Sequence, residues 1–412
     1  MVKKGVIDAQ SGKFVVLQSG DVTIPEFIDY DGEACQVIGL ADEKLTIKGV
    51  FSNLSALTGI TFPESIASIG DNAFYNCKNL TGVVRIPDKV KRIGRKAFFS
   101  CGIKEVIFGK NLEIISNRAF YGCDRIEKPL VFHEKIKNIE EYAFYQCSKI
   151  PGSIKIPDSV TRMEYGVFEG CRSITGLGIG KGISTIPDFT FKECQSLENV
   201  EIPENIRLIG QGAFKESGIK ELVLNENLRY IRSDAFLGCR RLAGTIYFPD
   251  TLDTIDNAAF RECISLEFVQ FNEGLRILGA SAFAYCKSLA SAIYIPSEIK
   301  VIEKSTFERC SKLEKVFFLS DVVSINEEAF YDCISLNELC SGGLMNDNLV
   351  SIGPFAFYNC INLDHELLLS GLARVDEGAF YNCEKLKVKV PPRRTYHQGD
   401  GAFYNCKEVM QL

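Results

Sequence analysis

The 412 residues contain no tryptophan, three histidines and four methionines. His133, His365 and His397 stand far apart, with no partner at a motif spacing. There is no phosphate-binding loop, no G-x-S-x-G elbow and no metal-ligand spacing, so neither an enzyme nor a metal site nor a cofactor is expected. No apolar run approaches the ~18 residues that cross a bilayer, so no membrane span is expected. The start, MVKKGVIDAQSGKFVV, has two early lysines but no apolar stretch behind them, so no secretory leader is readable. Basic clusters are missing too. With a net charge of −6 and a pI near 5.5, nucleic acid is not an expected partner.

What the chain does have is repetition. Composition is that of a folded protein, 46% apolar and 24% charged. The phrase NAFYNC at 72–77 returns as FAFYNC at 355–360 and as GAFYNC at 378–383 and 401–406, with looser versions between. Taking its phenylalanine as position zero, the sixteen repeats run from Phe51 to Phe403 at a mean spacing of about 23.5 residues. Self-similarity at this period marks stacked supersecondary units. A cysteine follows three residues on in 14 of the 16, replaced by Leu54 and Ser217 in the other two. An aliphatic such as Leu80 or Leu266 follows at six, and others precede at five (Ile69, Ile209) and eight (Val90, Leu252).

Upstream of each phrase lies an apolar–any–apolar triplet, often followed by proline, as in VRI (84–86), IKI (154–156) and IYF (246–248). That alternation predicts a short strand with two side chains inward and one outward. The A-F-x-x-C phrase, with inward residues at zero and three, predicts a short helical or 3-10 turn. One unit has too few inward side chains to close a core. Stacked at the ~4.8 Å strand spacing, sixteen units line up phenylalanine on phenylalanine and cysteine on cysteine. Parallel cysteines one rung apart are badly placed for a disulfide and cannot converge on zinc, so the reading is small, buried, free thiols.

The pattern I-P-x-x-[VI]-x-x-I-x-x-x-A-F-x-x-C-x-x-L, over about residues 60–409, resembles the BspA-like leucine-rich repeats of bacterial and protist surface proteins. The segment VTIPEFIDYDGEACQVIGL at 22–40 is similar to the N-terminal segment of that family. The resemblance implies an α/β leucine-rich-repeat solenoid, a horseshoe with a parallel sheet on its concave face and short helical turns on its convex face. It also implies a non-enzymatic adhesion or recognition role at the cell surface, with a host, matrix or neighbouring-cell protein as partner. An intracellular scaffold is the alternative, since no leader is visible and free thiols suit a reducing compartment.

Residues 1–45 read as an N-terminal cap, in which 14–24 form two strands around a Ser-Gly turn, and 46–412 as the repeats, the last one divergent. Outward strand positions supply the candidate binding site. Tyr247, Phe268, Tyr294 and Phe317 come from four consecutive repeats, with Gln270 among them and Cys340 at the edge. Exposed aromatics of this kind mark partner sites. A glycan is an alternative partner for the same patch. A four-residue insertion within 340–349 adds a projecting turn with Gly343, Asn346 and Asp347. The tyrosines that directly follow the phenylalanine, Tyr75, Tyr121 and Tyr145 among them, are expected to pack over the turn.

Overall fold

The computed structural model describes residues 6–8, 13–15, 20–30, 33–37, 39–40, 49, 51–319, 321–341 and 348–412. The insertion residues Gly343, Asn346 and Asp347 lie outside them, as does the side chain of Cys340. The chain divides into two units, Met1–Asn199 and Val200–Leu412. Both are parallel-strand solenoids built on the same repeat.

In the first unit the apolar–any–apolar triplets form strands that pair in parallel two by two. Val83–Arg85 runs beside Glu105–Ile107, and Gly152–Ile156 beside Ile174–Ile179. A second, narrower ladder was not foreseen from the pattern. Five of its two-residue strands carry the apolar residue five positions before the phenylalanine, and with Gly39–Leu40 ahead of them they join in the order Arg162–Met163, Asn138–Ile139, Ile114–Ile115, Arg92–Ile93, Ser68–Ile69 and Gly39–Leu40. At the start of the chain, Val6–Asp8 pairs antiparallel with Lys13–Val15, while Gly20–Thr23 joins Leu57–Thr61 in parallel. The two strands expected within 14–24 therefore pair with other strands and not with each other.

The second unit repeats the plan. Its long strands form the groups Gly244–Tyr247 with Leu266–Gln270, then Ser291–Ile295, Leu313–Phe318 and Glu338–Ser341, then Glu366–Leu368, Lys387–Val390 and Glu408–Gln411.

The expected helical turn is replaced. Among the described residues there is no helix. Around each phenylalanine from Phe74 to Phe403 the backbone is left-handed two residues before and two after: Asn72 and Asn76 (φ 57° and 61°), Arg118 and Gly122 (55° and 68°), Phe355 and Asn359 (55° and 59°). Left-handed residues at alternate turns prevent helix propagation. They produce consecutive tight turns, every second one with positive φ at the third position, as in type II turns. Ala73, Tyr75 and Cys77 donate back to Gly70, Asn72 and Phe74, while the intervening Asn72, Phe74 and Asn76 donate to Arg95, Ala97 and Phe99 of the next repeat at 2.7–2.8 Å. The result is a turn ribbon whose every second N–H bonds to the neighbouring repeat.

Between strands and ribbon lies the core. Successive phenylalanines stack with nearly parallel rings, Phe74 on Phe98 at 5.0 Å and Phe236 on Phe260 at 5.0 Å. All from Phe51 to Phe380 are fully buried. The cysteines do more than fill space: each thiol donates to the carbonyl of the preceding repeat's phenylalanine, as from Cys101 to Phe74 (3.0 Å) and Cys263 to Phe236 (3.3 Å).

Candidate functional site

The expected patch belongs to the second unit, where strand register orders its members. Tyr247 stands opposite Gln270, and Thr245 opposite Phe268. Further along, Tyr294 stands opposite Phe317, which stands opposite Cys340. Phe268 thus occupies the row two residues earlier than the others. Tyr247 and Tyr294 are 66% and 49% exposed, while Phe268 and Phe317 are half-buried. Tyr294 and Phe317 touch, their rings stacked at 4.8 Å and 9°. Beside them Lys315 pairs with Glu338 at 2.6 Å, giving the patch a charged border.

Between Leu266–Gln270 and Ser291–Ile295 the strands belong to separate sheets. Ala290 donates to Glu267 at 2.9 Å, after which no ladder joins the two. The opening is a cleft of about 360 Å³ lined by Phe268, Gln270, Tyr294 and Leu319. The first unit opens in the same way. The backbone N–H of Glu127 donates to the Lys104 carbonyl (3.0 Å), but residues 128–133 form no strand, and Pro129 brings no N–H to the ladder. A cleft of about 510 Å³ results, with Val106, Pro129, Val131 and His133 on its walls. Proline before the triplet was the available signal for this seam.

Tyrosines following the phenylalanine do pack over the turn, but as stacks. Tyr75, Phe99, Tyr121 and Tyr145 stack at 4.9, 4.7 and 4.4 Å in the first unit, and Tyr331, Tyr358, Tyr381 and Tyr404 at 4.9, 5.1 and 4.6 Å in the second. The sequence reading missed the residues two before the phenylalanine, which run alongside. There Arg118 lies over the Tyr142 ring at 4.9 Å, and Tyr142 meets Tyr145 edge to face at 5.3 Å. Burial and the hydrogen bond with Tyr165 both raise the Tyr142 phenol, which stays protonated.

Stacked parallel strands, a phenylalanine spine and a repeating aliphatic frame define a leucine-rich-repeat solenoid. The BspA type leucine-rich repeat region, described in six copies, matches residues 46–131, 113–243, 243–343 and 341–412, and the chain belongs to that family. Among solved structures, a leucine-rich repeat protein from Bacteroides ovatus is 21% identical, with a TM-score of 0.61 over 93% of this chain and 84% of that one. The pneumococcal vaccine antigen PcpA is 17% identical over 97% and 91%, with a TM-score of 0.48. A leucine rich cell surface protein from Faecalibacterium prausnitzii is 22% identical over 82% and 93%, with a TM-score of 0.42. No curated protein matches the chain. Among the described residues, no helix is long and apolar enough to cross a membrane.

Proposed function

We propose that the protein is a non-enzymatic recognition scaffold that binds a protein partner through the long-strand face of the second unit, at a cell surface. The observation that carries this reading is the exposed Tyr294 stacked on the half-buried Phe317, with Tyr247 standing out on the same face. Aromatic side chains with few rotatable bonds lose little entropy on binding and bury large areas, which is why they dominate binding hot spots. The Phe268–Tyr294 cleft beside them offers a pocket for an anchoring side chain. The partner is a host, matrix or neighbouring-cell protein; the insertion at Gly343, Asn346 and Asp347, next in the chain after Cys340, adds contacts at the edge.

The test compares wild type with a variant carrying Tyr247→Ser, Phe268→Ser, Tyr294→Ser and Phe317→Ser, both immobilised against purified matrix proteins and a glycan panel. Circular dichroism checks that they fold alike. A protein ligand held by wild type and weakened ~100-fold or more in the variant is the expected result, since loss of two hot-spot aromatics suffices for it. Equal binding by both overturns the assignment. A ligand found only among the glycans replaces the protein partner by a sugar.

A further inference from the structure

The turn ribbon of the first unit carries a groove of about 420 Å³. Positions two before the phenylalanine contribute Lys96, Arg118 and Tyr142 to one wall, and positions one after contribute Tyr121, Tyr145, Glu169 and Lys192 to the other. Gly166 interrupts the first row with φ +59°; a Cβ there would come within 2.6 Å of the Tyr142 ring, so the glycine is what lets that ring lie along the groove.

The charges do not balance inside it. Glu169 is 6% exposed, and its Oε1 accepts from Lys192 Nζ at 2.8 Å, so that pair cancels. Lys96 and Arg118 are half-buried and, among the described residues, have no carboxylate within ion-pair distance. Arg118 donates to Asn117 Oδ1 at 3.0 Å, and Lys96 sits 6.0 Å over the Phe99 ring. Neighbouring carboxylates are engaged by groups other than Lys96 and Arg118, Glu141 by the Asn117 amide (2.7 Å) and Glu193 by Arg172 (3.1 Å) and, at 3.9 Å, by Lys192. Two partly desolvated cations without a counter-ion are unfavourable until an anion joins them. Tyr121 and Tyr145 use their faces on each other, and their hydroxyls lie close enough to interact, so that together they offer one phenol proton and their oxygens to a ligand.

We propose that this groove binds a uronic-acid sugar, its carboxylate held between Lys96 and Arg118 and its ring hydroxyls by the Tyr121 and Tyr145 hydroxyls and Glu169. Guanidinium and carboxylate pair through two parallel hydrogen bonds. A sugar hydroxyl both donates and accepts, and so serves a wall with a phenol donor and a carboxylate acceptor. An acidic peptide side chain has no proton to offer Glu169.

The probe is tetragalacturonate, titrated into the full chain by calorimetry alongside its methyl ester, a tetraglutamate peptide and sodium sulfate. Saturable binding of tetragalacturonate is expected, with affinity falling ~10-fold or more in Arg118→Gln and in Lys96→Gln, the loss of one charge-assisted contact each. Tyr404→Ser, an exposed tyrosine of the second unit's ribbon stack, should leave that binding unchanged. The proposal is overturned by no saturable binding, by ester, peptide or sulfate binding as tightly, or by unchanged affinity in both Gln variants. Lys96→Gln decides alone if Arg118→Gln does not fold.

Discussion

At the residue scale the cysteine is the most instructive position. Its place on one ladder, and hence its burial, was legible from fourteen repeats in register. Its hydrogen bond was not, because nothing in the spacing says that the neighbouring repeat's phenylalanine carbonyl points at the thiol. Burial pushes Cys123 and Cys239 from the ordinary 9.0 up to about 12. An unfolded chain loses these protons near pH 8.5–9, the folded chain only near 12. The unfolded state therefore binds fewer protons in between, and the stability these thiols contribute, whole below pH ~8.5, is lost as pH rises towards 12. The slope is about 1.4 kcal/mol per pH unit for each thiol. Urea midpoints of wild type should fall between pH 9 and 11, and fall less steeply in a Cys123→Ser, Cys239→Ser variant. Parallel slopes would show that these thiols are not shielded.

Elements were less legible than residues. The triplet strands followed from their alternation, but a two-residue strand is too short to alternate, so the second ladder left only a lone aliphatic as its trace. The ribbon was misread as helical because A-F-x-x-C also fits helix spacing. Its true signal was faint: Asn72, Asn76, Asn359, Asn382, Gly166, Gly378 and Gly401 all fall two residues from a phenylalanine, where asparagine and glycine tolerate positive φ. Lys96, Tyr142 and Phe189 adopt the same conformation without any such hint. Ala258, at φ 54°, is held there against its preference. Ala258→Gly should stabilise the second unit by about 0.5–1 kcal/mol, the left-handed penalty less the entropy glycine adds to the unfolded chain. Gly378→Ala should act oppositely and more strongly, about 1–3 kcal/mol, since a Cβ would come within 2.6 Å of the Phe355 ring at φ +59°. Thermal melts of the two variants check the opposite signs.

At the scale of the whole molecule, the period made the solenoid legible and left its openings hidden. Seams such as the one between Leu266–Gln270 and Ser291–Ile295 arise from how neighbouring triplets diverge after one shared hydrogen bond, which no single repeat encodes. The patch aromatics were legible because outward strand positions can be counted. The groove on the ribbon was not, because its two walls come from a turn geometry the pattern did not announce. The paired strands, ribbon bonds and ring stacks described in each unit link a repeat to its immediate neighbours, so stability should be close to a sum of nearest-neighbour terms. Phe236 is fully buried between Phe214 and Phe260, at 5.4 and 5.0 Å. Phe236→Ala removes both stacks and should cost about 3–5 kcal/mol, lowering the urea midpoint. In hydrogen exchange the loss should concentrate where those contacts are. Amides of the ribbon around Phe214, Phe236 and Phe260 should lose protection, while those around Phe74, Phe98 and Phe120 keep theirs. Uniform loss across all repeats would mean that the chain unfolds as one cooperative body, and an unchanged midpoint would remove Phe236 from the core.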